Sequence, residues 1–424
     1  MAASFHVRNF GCRANQADGV ALASALRCSG LQPAPEAAAD WVVFNTCTVT
    51  GAADAEARRA IRKLHRQRPE TRIAVTGCYA ERAPAEIAAL AGVAVVAGHA
   101  AQRELGERLA AGLARIQPQP PKLASLAQIE PERGERTRPV LKVQEGCGRA
   151  CSFCIIPQVR GPNRSRALGL VLAEVEALAA AGHGELVVSG INLGQWGRDL
   201  DAGLGLQDLV HALLQQTRLR RLRLSSVEPM DWSAALTAAM AAHPGRFARH
   251  AHLPLQSGSD AVLRRMRRRY RARDYAGRAE ALAARVPGVA IGTDVMAGFP
   301  DESEVEFAHT CDLISHLPLA YLHVFPFSPR PGTEAARQLA TGAWRPVPSA
   351  VTAARVVELR RLGAAKRAAF LDTLVGHTLP AIVLGRGEAL SDNYARLRLA
   401  HAAPPGTLIE ARVLERQGEV LLAA

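Results

Sequence analysis

Short apolar runs alternate with amphipathic stretches along the first hundred residues. Runs at Phe5–Asn9, Trp41–Asn45, Arg72–Thr76 and Val93–Ala97 predict strands. Apolar positions at helical spacing predict helices over Gln16–Cys28, Ala52–Arg68 and Pro84–Ala91. Strands alternating with helices predict an open parallel sheet with helical crossovers. The pattern breaks after residue 114, where Arg115-Ile-Gln-Pro-Gln-Pro-Pro121 and Glu130-Pro-Glu-Arg-Gly-Glu135 read as a linker over 115–135. Alternation resumes over 136–371, with strands expected at Val140–Gln144, Glu185–Ser189, Arg221–Ser226, His250–Leu255, Val289–Val295 and Tyr321–Phe325. Helical stretches such as Ala167–Ala181 and Glu302–His316 lie between them. Six such units predict a partial (βα)6 barrel, open where the eight-fold form would close. Residues 372–424 carry four short runs, Thr378–Leu384, Tyr394–Leu399, Thr407–Leu414 and Glu419–Leu422, separated by glycine, proline and Asp-Asn turns. These predict a small C-terminal β-barrel or sandwich, so the whole chain is α/β in three parts, 1–114, 136–371 and 372–424.

Composition narrows the setting. Hydrophobic residues at 48% and charged residues at 21% describe a soluble globular protein. There is no apolar run long enough to span a bilayer, and Met1–Arg8 lacks the pattern of a signal peptide, so a cytoplasmic protein without a membrane partner is expected. The net charge of +13 favours a polyanionic partner. Lysine occurs only at 63, 122, 142 and 366; an alanine- and arginine-rich composition also follows from GC-rich coding, so the sign of the charge carries the argument.

Eight cysteines without a secretory signal suit soft metal centres better than disulfides. Cys147, Cys151 and Cys154 lie in Glu145-Gly-Cys-Gly-Arg-Ala-Cys-Ser-Phe-Cys154, directly after a predicted strand. A 4Fe–4S cluster normally takes four cysteines, so three leave one iron open to a substrate or cofactor. A zinc site would want a fourth Cys or His at ribbon spacing, and none follows. Cys12, Cys47 and Cys78 each follow a predicted strand, and strand ends in an open parallel sheet converge on one edge. They form a second candidate set of three thiolates, the alternative being small buried residues at strand ends. Cys28 and Cys311 read as ordinary buried cysteines.

Three stretches of the core, Arg136-Thr-Arg-Pro-Val-Leu-Lys-Val-Gln-Glu-Gly-Cys147, Phe153-Cys-Ile-Ile-Pro157 and Arg160-Gly-Pro-Asn-Arg-Ser-Arg166, resemble the radical S-adenosylmethionine methylthiotransferases. The resemblance covers nearly the whole chain and implies an N-terminal cluster domain, a radical core and a C-terminal RNA-binding TRAM domain. Asn9-Phe-Gly-Cys-Arg-Ala-Asn-Gln16, Asn45-Thr-Cys-Thr-Val-Thr50, His252-Leu-Pro-Leu-Gln-Ser-Gly-Ser-Asp260 and Ser391-Asp-Asn-Tyr-Ala-Arg396 resemble the branch acting on N6-threonylcarbamoyladenosine in tRNA. Other branches act on isopentenyladenosine in tRNA or on an aspartate of a ribosomal protein. A rival from another class is a non-catalytic iron–sulfur RNA-binding redox sensor.

The resemblance implies two 4Fe–4S clusters, one on Cys147, Cys151 and Cys154 and one on Cys12, Cys47 and Cys78, with S-adenosylmethionine as radical source and methyl donor. An unactivated C–H bond at carbon 2 of adenine is beyond side-chain acid–base chemistry, so a cofactor carries that step. Gly190, Glu228 and Gln256, at strand ends, are expected against the cofactor. Arg160, Arg164 and Arg166 are expected against substrate phosphate or the cofactor carboxylate. Arg264–Arg273, with seven arginines and Tyr270 for stacking, is expected to meet RNA. The partners implied are tRNA and a reduced flavodoxin- or ferredoxin-type electron donor, with the protein a monomer. His6, His99, His252 and His323 lack ligand-like spacing and read as ordinary histidines.

Overall fold

The computed structural model describes residues 3–111, 137–201 and 203–424; the predicted linker at 115–135 lies outside them. Five parallel strands open the chain: β1 (Ser4–Asn9), β2 (Gln32–Pro33), β3 (Trp41–Thr46), β4 (Arg72–Gly77) and β5 (Val93–Ala97), in the order β2-β1-β3-β4-β5. Central β3 is buried at every position, which is why it reads as an unbroken apolar run. Trp41 and Val43 face the helices Arg13–Cys28 and Gln102–Ala110, through Leu22, Leu26, Leu105 and Leu109. Val42 and Phe44 face the helix Gly51–Gln67 through Ala57, Ile61 and Leu64.

The second part contains β6 (Val140–Glu145), β7 (Arg164–Ser165), β8 (Glu185–Gly190), β9 (Arg221–Leu224), β10 (His250–His252), β11 (Ala290–Ala297) and β12 (Tyr321–Pro326). β6, β8 and β9 pair in parallel, as do β10, β11 and β12. Bridges Leu222–Phe247 and Ser226–His252 join the two groups, so six parallel strands curve as an open array with β12 at one edge and antiparallel β7 at the other. Leu141, Val143, Leu186, Val188, Leu222, Leu224, Ile291 and Val295 pack outward under the helices. By alternation the opposite face carries Lys142, Gln144, Glu185, Arg223, His252, Asp294 and His323, giving the array a polar lining. The strand expected at His250–Leu255 stops at His252, because Pro254 has no N–H to give a ladder and Gln256 takes a left-handed φ of 67°. A 24-residue helix, Ser349–Asp372, packs on β12 and leads to the last domain.

That domain is a closed barrel of β13 (Thr378–Gly385), β14 (Glu388–Ser391), β15 (Arg396–Leu399), β16 (Leu408–Gln417) and β17 (Val420–Ala423), ordered β13-β14-β15-β17-β16. Its β14–β15 turn enters the polar face of the open array. Arg223, buried on β9, binds Glu185 and donates to the carbonyls of Ser391 and Asp392 at 3.0 Å each. Arg249 holds the Asp392 carboxylate at 2.7 Å. Tyr394, in the left-handed region at φ 66°, stacks on His250 with ring centroids 4.3 Å apart. That conformation is costly for a tyrosine, and these contacts hold it there.

Candidate active site

The Cys147 loop follows β6 and is pinned by its own backbone. Cys147 N donates to Gly161 O at 3.0 Å, Ser152 N to Met266 O at 3.1 Å and Cys154 N to Cys151 O at 3.1 Å. Two sulfurs already receive donors: Asn192 Nδ2 reaches Cys147 Sγ at 3.4 Å, and Arg268 Nη1 reaches Cys151 Sγ at 3.5 Å. Burial raises the thiol of Cys151 and pushes that of Cys154 up to about 12. Such thiols ionise at neutral pH only beside a compensating cation. Three soft donors with N–H groups aimed at two of them fit an iron–sulfur cluster.

Cys12, Cys47 and Cys78 follow β1, β3 and β4. The register sets Asn9 opposite Asn45 and Thr46 opposite Gly77, so the three strand ends lie side by side. Thr50 caps the next helix, accepting from Ala53 N at 3.2 Å, and so fixes the exit of the Cys47 loop. Gly11, at φ 88°, is the close approach between two of the cysteines: a Cβ there would lie 2.8 Å from Cys47 Sγ. Burial raises the Cys47 thiol and pushes the Cys78 thiol up to about 12, with the neighbouring thiols adding to it. The donor set and the glycine cradle fit a second cluster by the same chemistry.

Arg160 links the two cysteine sets. It ends the short helix Ile156–Arg160, directly after the Cys147 loop, and its Nε donates to Cys78 Sγ at 3.2 Å. Its Nη1 binds Asp18 at 2.7 Å and Glu145 at 3.1 Å, and its Nη2 binds Asn15. Lys142 also pairs with both Asp18 and Glu145. Burial opposes every charge in this group, but the mutual ion pairs outweigh it and hold the Asp18 and Glu145 carboxyls below their ordinary values. The side chain of Arg160 is 1% exposed, so it is an inter-domain clamp rather than the open-loop substrate contact expected from sequence.

Arg166 also departs from expectation: it is buried and paired with Glu174 of the helix Leu168–Ala180. Arg164 is half-buried on β7, where its backbone pairs with Glu145. Gly190 gives room to Gln144: a Cβ there would lie 2.8 Å from Gln144 Oε1, which accepts from Asn192 N at 2.7 Å. Glu228 pairs with Arg268, the same arginine that reaches Cys151. Gln256 ends its segment in a left-handed conformation, and its Oε1 is buried without a hydrogen-bond partner, as is Asn192 Oδ1. The orphaned acceptor of Asn192, whose Nδ2 reaches Cys147 Sγ, fits a donor group of S-adenosylmethionine; that of Gln256 lies beyond β10, beside β11.

Tyr270 is not available for stacking on RNA, because it is buried and donates to the carbonyls of Pro254 and Leu255. The Arg264–Arg273 run divides: Arg268 turns inward and Arg265 binds Glu306, while Arg264, Arg267, Arg269, Arg271 and Arg273 are exposed. The histidines are not all ordinary either. His252 Nε2 and His323 Nδ1 lie 3.0 and 3.3 Å from one oxygen of Asp294 on the inner face. Burial alone would raise the Asp294 carboxyl, but the two imidazole donors hold it below its usual range. The sequence signal was present as inward-facing positions on three adjacent strands, which spacing along the chain does not show.

Comparison with known proteins decides what this arrangement belongs to. Residues 4–98 match the model described as "Uncharacterized protein family UPF0004", and residues 141–314 match the radical SAM superfamily. Over 410 residues the chain is 34% identical to the threonylcarbamoyladenosine tRNA methylthiotransferase MtaB of Aquifex aeolicus, covering 94% of this chain and 97% of that protein. The chain belongs to the radical S-adenosylmethionine methylthiotransferases. As such it is an enzyme that uses an iron–sulfur cluster and S-adenosylmethionine. The Bacillus subtilis protein of the same name is 36% identical over 79% of this chain and 75% of its own length. A tRNA-2-methylthio-N(6)-dimethylallyladenosine synthase from Parafrankia is also 36% identical, over 96% of this chain and 82% of its own. Among solved structures, the radical S-adenosylmethionine methyltransferase TsrM of Kitasatospora setae superposes with a TM-score of 0.60 at 15% identity, over 81% of this chain and 75% of that one, a likeness of fold. Among the described residues no helix is long and apolar enough to cross a membrane.

Proposed function

We propose that this enzyme methylthiolates carbon 2 of N6-threonylcarbamoyladenosine in tRNA, using two iron–sulfur clusters, with S-adenosylmethionine as radical source and methyl donor. The observation that carries the reading is Arg160, which runs from the Cys147 loop to Cys78 Sγ and so puts the two three-thiol sites on either side of one buried side chain. Cys147, Cys151 and Cys154 would hold a cluster that, when bound, would supply the one-electron chemistry an unactivated adenine C–H bond requires. The chain's own groups do the rest. Asn192 and Arg268 donate to the Cys147 and Cys151 sulfurs, stabilising negative charge there. Asn192 offers a buried acceptor to the cofactor, and Glu228 holds Arg268 in place. Cys12, Cys47 and Cys78 would hold a second cluster for sulfur delivery, on the sheet that Arg160, Asp18 and Lys142 close against the radical core. Of the three arginines expected at the substrate, Arg160 and Arg166 are buried in ion pairs; the exposed arginines of 264–273 offer a surface for the tRNA backbone.

The threonylcarbamoyl branch rests on the motifs around Cys12, Cys47, His252 and Ser391 and on relatives of that name at 31–36% identity. Relatives named for dimethylallyladenosine match as well, so identity alone does not choose the substrate. We read the protein as cytoplasmic, monomeric and reduced by a flavodoxin- or ferredoxin-type donor. The test is mass spectrometry of tRNA nucleosides from wild-type and deletion strains. Loss of 2-methylthio-N6-threonylcarbamoyladenosine is expected; loss of the isopentenyl product instead would refute the substrate. Reconstituted, reduced protein that released no 5′-deoxyadenosine would favour a redox sensor.

A further inference from the structure

The His252–Asp294–His323 group lies on the inner face of the array, and its contacts among the described residues include none of the six cysteines. Asp294 accepts, so we assign protons to the two nitrogens that face it, His252 Nε2 and His323 Nδ1, in neutral rings. His252 Nδ1 then accepts from Tyr321 Oη at 3.0 Å, and that oxygen accepts from His250 Nε2–H at 2.8 Å. This assignment leaves His250 Nδ1, which is buried without a partner, as a bare nitrogen rather than an orphaned N–H. Both imidazoles approach the same oxygen of Asp294, at 3.0 and 3.3 Å. Among the described residues, neither Asp294 Oδ2 nor His323 Nε2 has a hydrogen-bond partner. The His323 side chain is 60% exposed on the edge strand β12. Beyond it the wall continues through Tyr321 and Tyr394 to Arg13, whose Nη2 donates to Tyr394 Oη at 2.8 Å.

We propose that Asp294 and His323, oriented by His252 and Tyr321, form the subsite that recognises the N6 substituent of the substrate adenosine. This rests on the tRNA reading above and sharpens it. Two acceptors side by side in a half-enclosed polar wall, otherwise left to solvent, suit a ligand that brings donors. A threonylcarbamoyl group offers ureido N–H and a hydroxyl, and Arg13 gives its carboxylate a cation at the far end of the same wall. An isopentenyl group offers no donor beyond N6–H, so at least one of the two acceptors would gain nothing from it, and the site favours the substituent that carries more donors.

The experiment uses the reconstituted full chain and three anticodon stem-loop RNAs, with threonylcarbamoyl-, isopentenyl- or unmodified adenosine at the target position. Fluorescence anisotropy gives each affinity, and product formation on the threonylcarbamoyl RNA is measured alongside. Wild type is expected to prefer the threonylcarbamoyl RNA over the other two by about tenfold or more. His323→Leu and Asp294→Asn should erase that preference while keeping iron content and affinity for the unmodified RNA. His323→Gln, which keeps an amide acceptor, should restore part of it. If wild type makes product on the threonylcarbamoyl RNA but both variants keep the full preference, or wild type has none, the subsite is overturned and the function stands. If wild type makes no product on that RNA, the substrate reading itself has failed.

Discussion

Replacing Arg160 by glutamine tests the physics of the joint between the two cysteine domains. Asp18 and Glu145 are balanced by Arg160 and Lys142, two acids against two bases, in a group that is nearly inaccessible to water. Without the guanidinium, two buried carboxylates share one lysine, and Asn15 and Cys78 each lose a donor. Removing one partner of a buried ion pair costs about 3–5 kcal/mol, mostly through the charge left behind. At roughly 2–4 °C per kcal/mol for domains of this size, the cluster-free protein should melt about 6–20 °C lower. Arg160→Lys should fall between, since it keeps the charge but loses the fork that reaches Cys78, Asp18 and Asn15 at once. The decisive comparison is a double-mutant cycle with Asp18→Asn. That second change removes the surplus carboxylate and leaves Lys142 and Glu145 as a balanced pair, so the double mutant should be more stable than the sum of the single effects by about 1–3 kcal/mol. Melting followed by circular dichroism with and without denaturant supplies the numbers. A single mutant that melts within a degree of wild type, or a strictly additive cycle, refutes the charge-balance argument.

Alanine at Cys147, Cys151 and Cys154 should lower iron from about eight to about four atoms per chain and abolish 5′-deoxyadenosine release, and a triple variant that still cleaves S-adenosylmethionine would contradict the site. Alanine at Cys12, Cys47 and Cys78 should leave that cleavage intact and stop methylthio product in the same assay. Reversing the exposed charges of Arg264, Arg267, Arg269, Arg271 and Arg273 should flatten the salt dependence of tRNA affinity without changing iron content; an unchanged slope would move the RNA to another face.

Much of this architecture was legible in the sequence because its strands are short, apolar and regularly punctuated. β3 and β5 emerged with starts unchanged, and the strand-end cysteines lined up because parallel register leaves no other place for residues that follow β1, β3 and β4. Strand β14 was missed, since Glu388-Ala-Leu-Ser391 between a glycine and an Asp-Asn turn carries too few residues for a period. The helix Ser349–Asp372 was missed because alanine and arginine are spread around it without a clear apolar stripe. The arginines were the least legible part. Arg160, Arg166 and Arg268 look like surface charge in a linear reading, yet each is inside and paired, because their partners Asp18, Glu174 and Glu228 are brought near only by the fold. The same holds for His252 and His323, which are 71 residues apart in number but share one carboxylate in space.

The β14–β15 turn gives the C-terminal barrel a significance for biosynthesis. Arg223 is fully buried, and two of its hydrogen bonds end on main-chain carbonyls made some 170 residues later, at Ser391 and Asp392. A chain emerging from the ribosome therefore completes its radical core last: until Asp392 and Tyr394 arrive, the floor of the array is open and a buried cation lacks half its acceptors. A chain truncated after Leu371 would lack more than a separate barrel; its radical core would keep the two missing acceptors of Arg223 as a permanent gap.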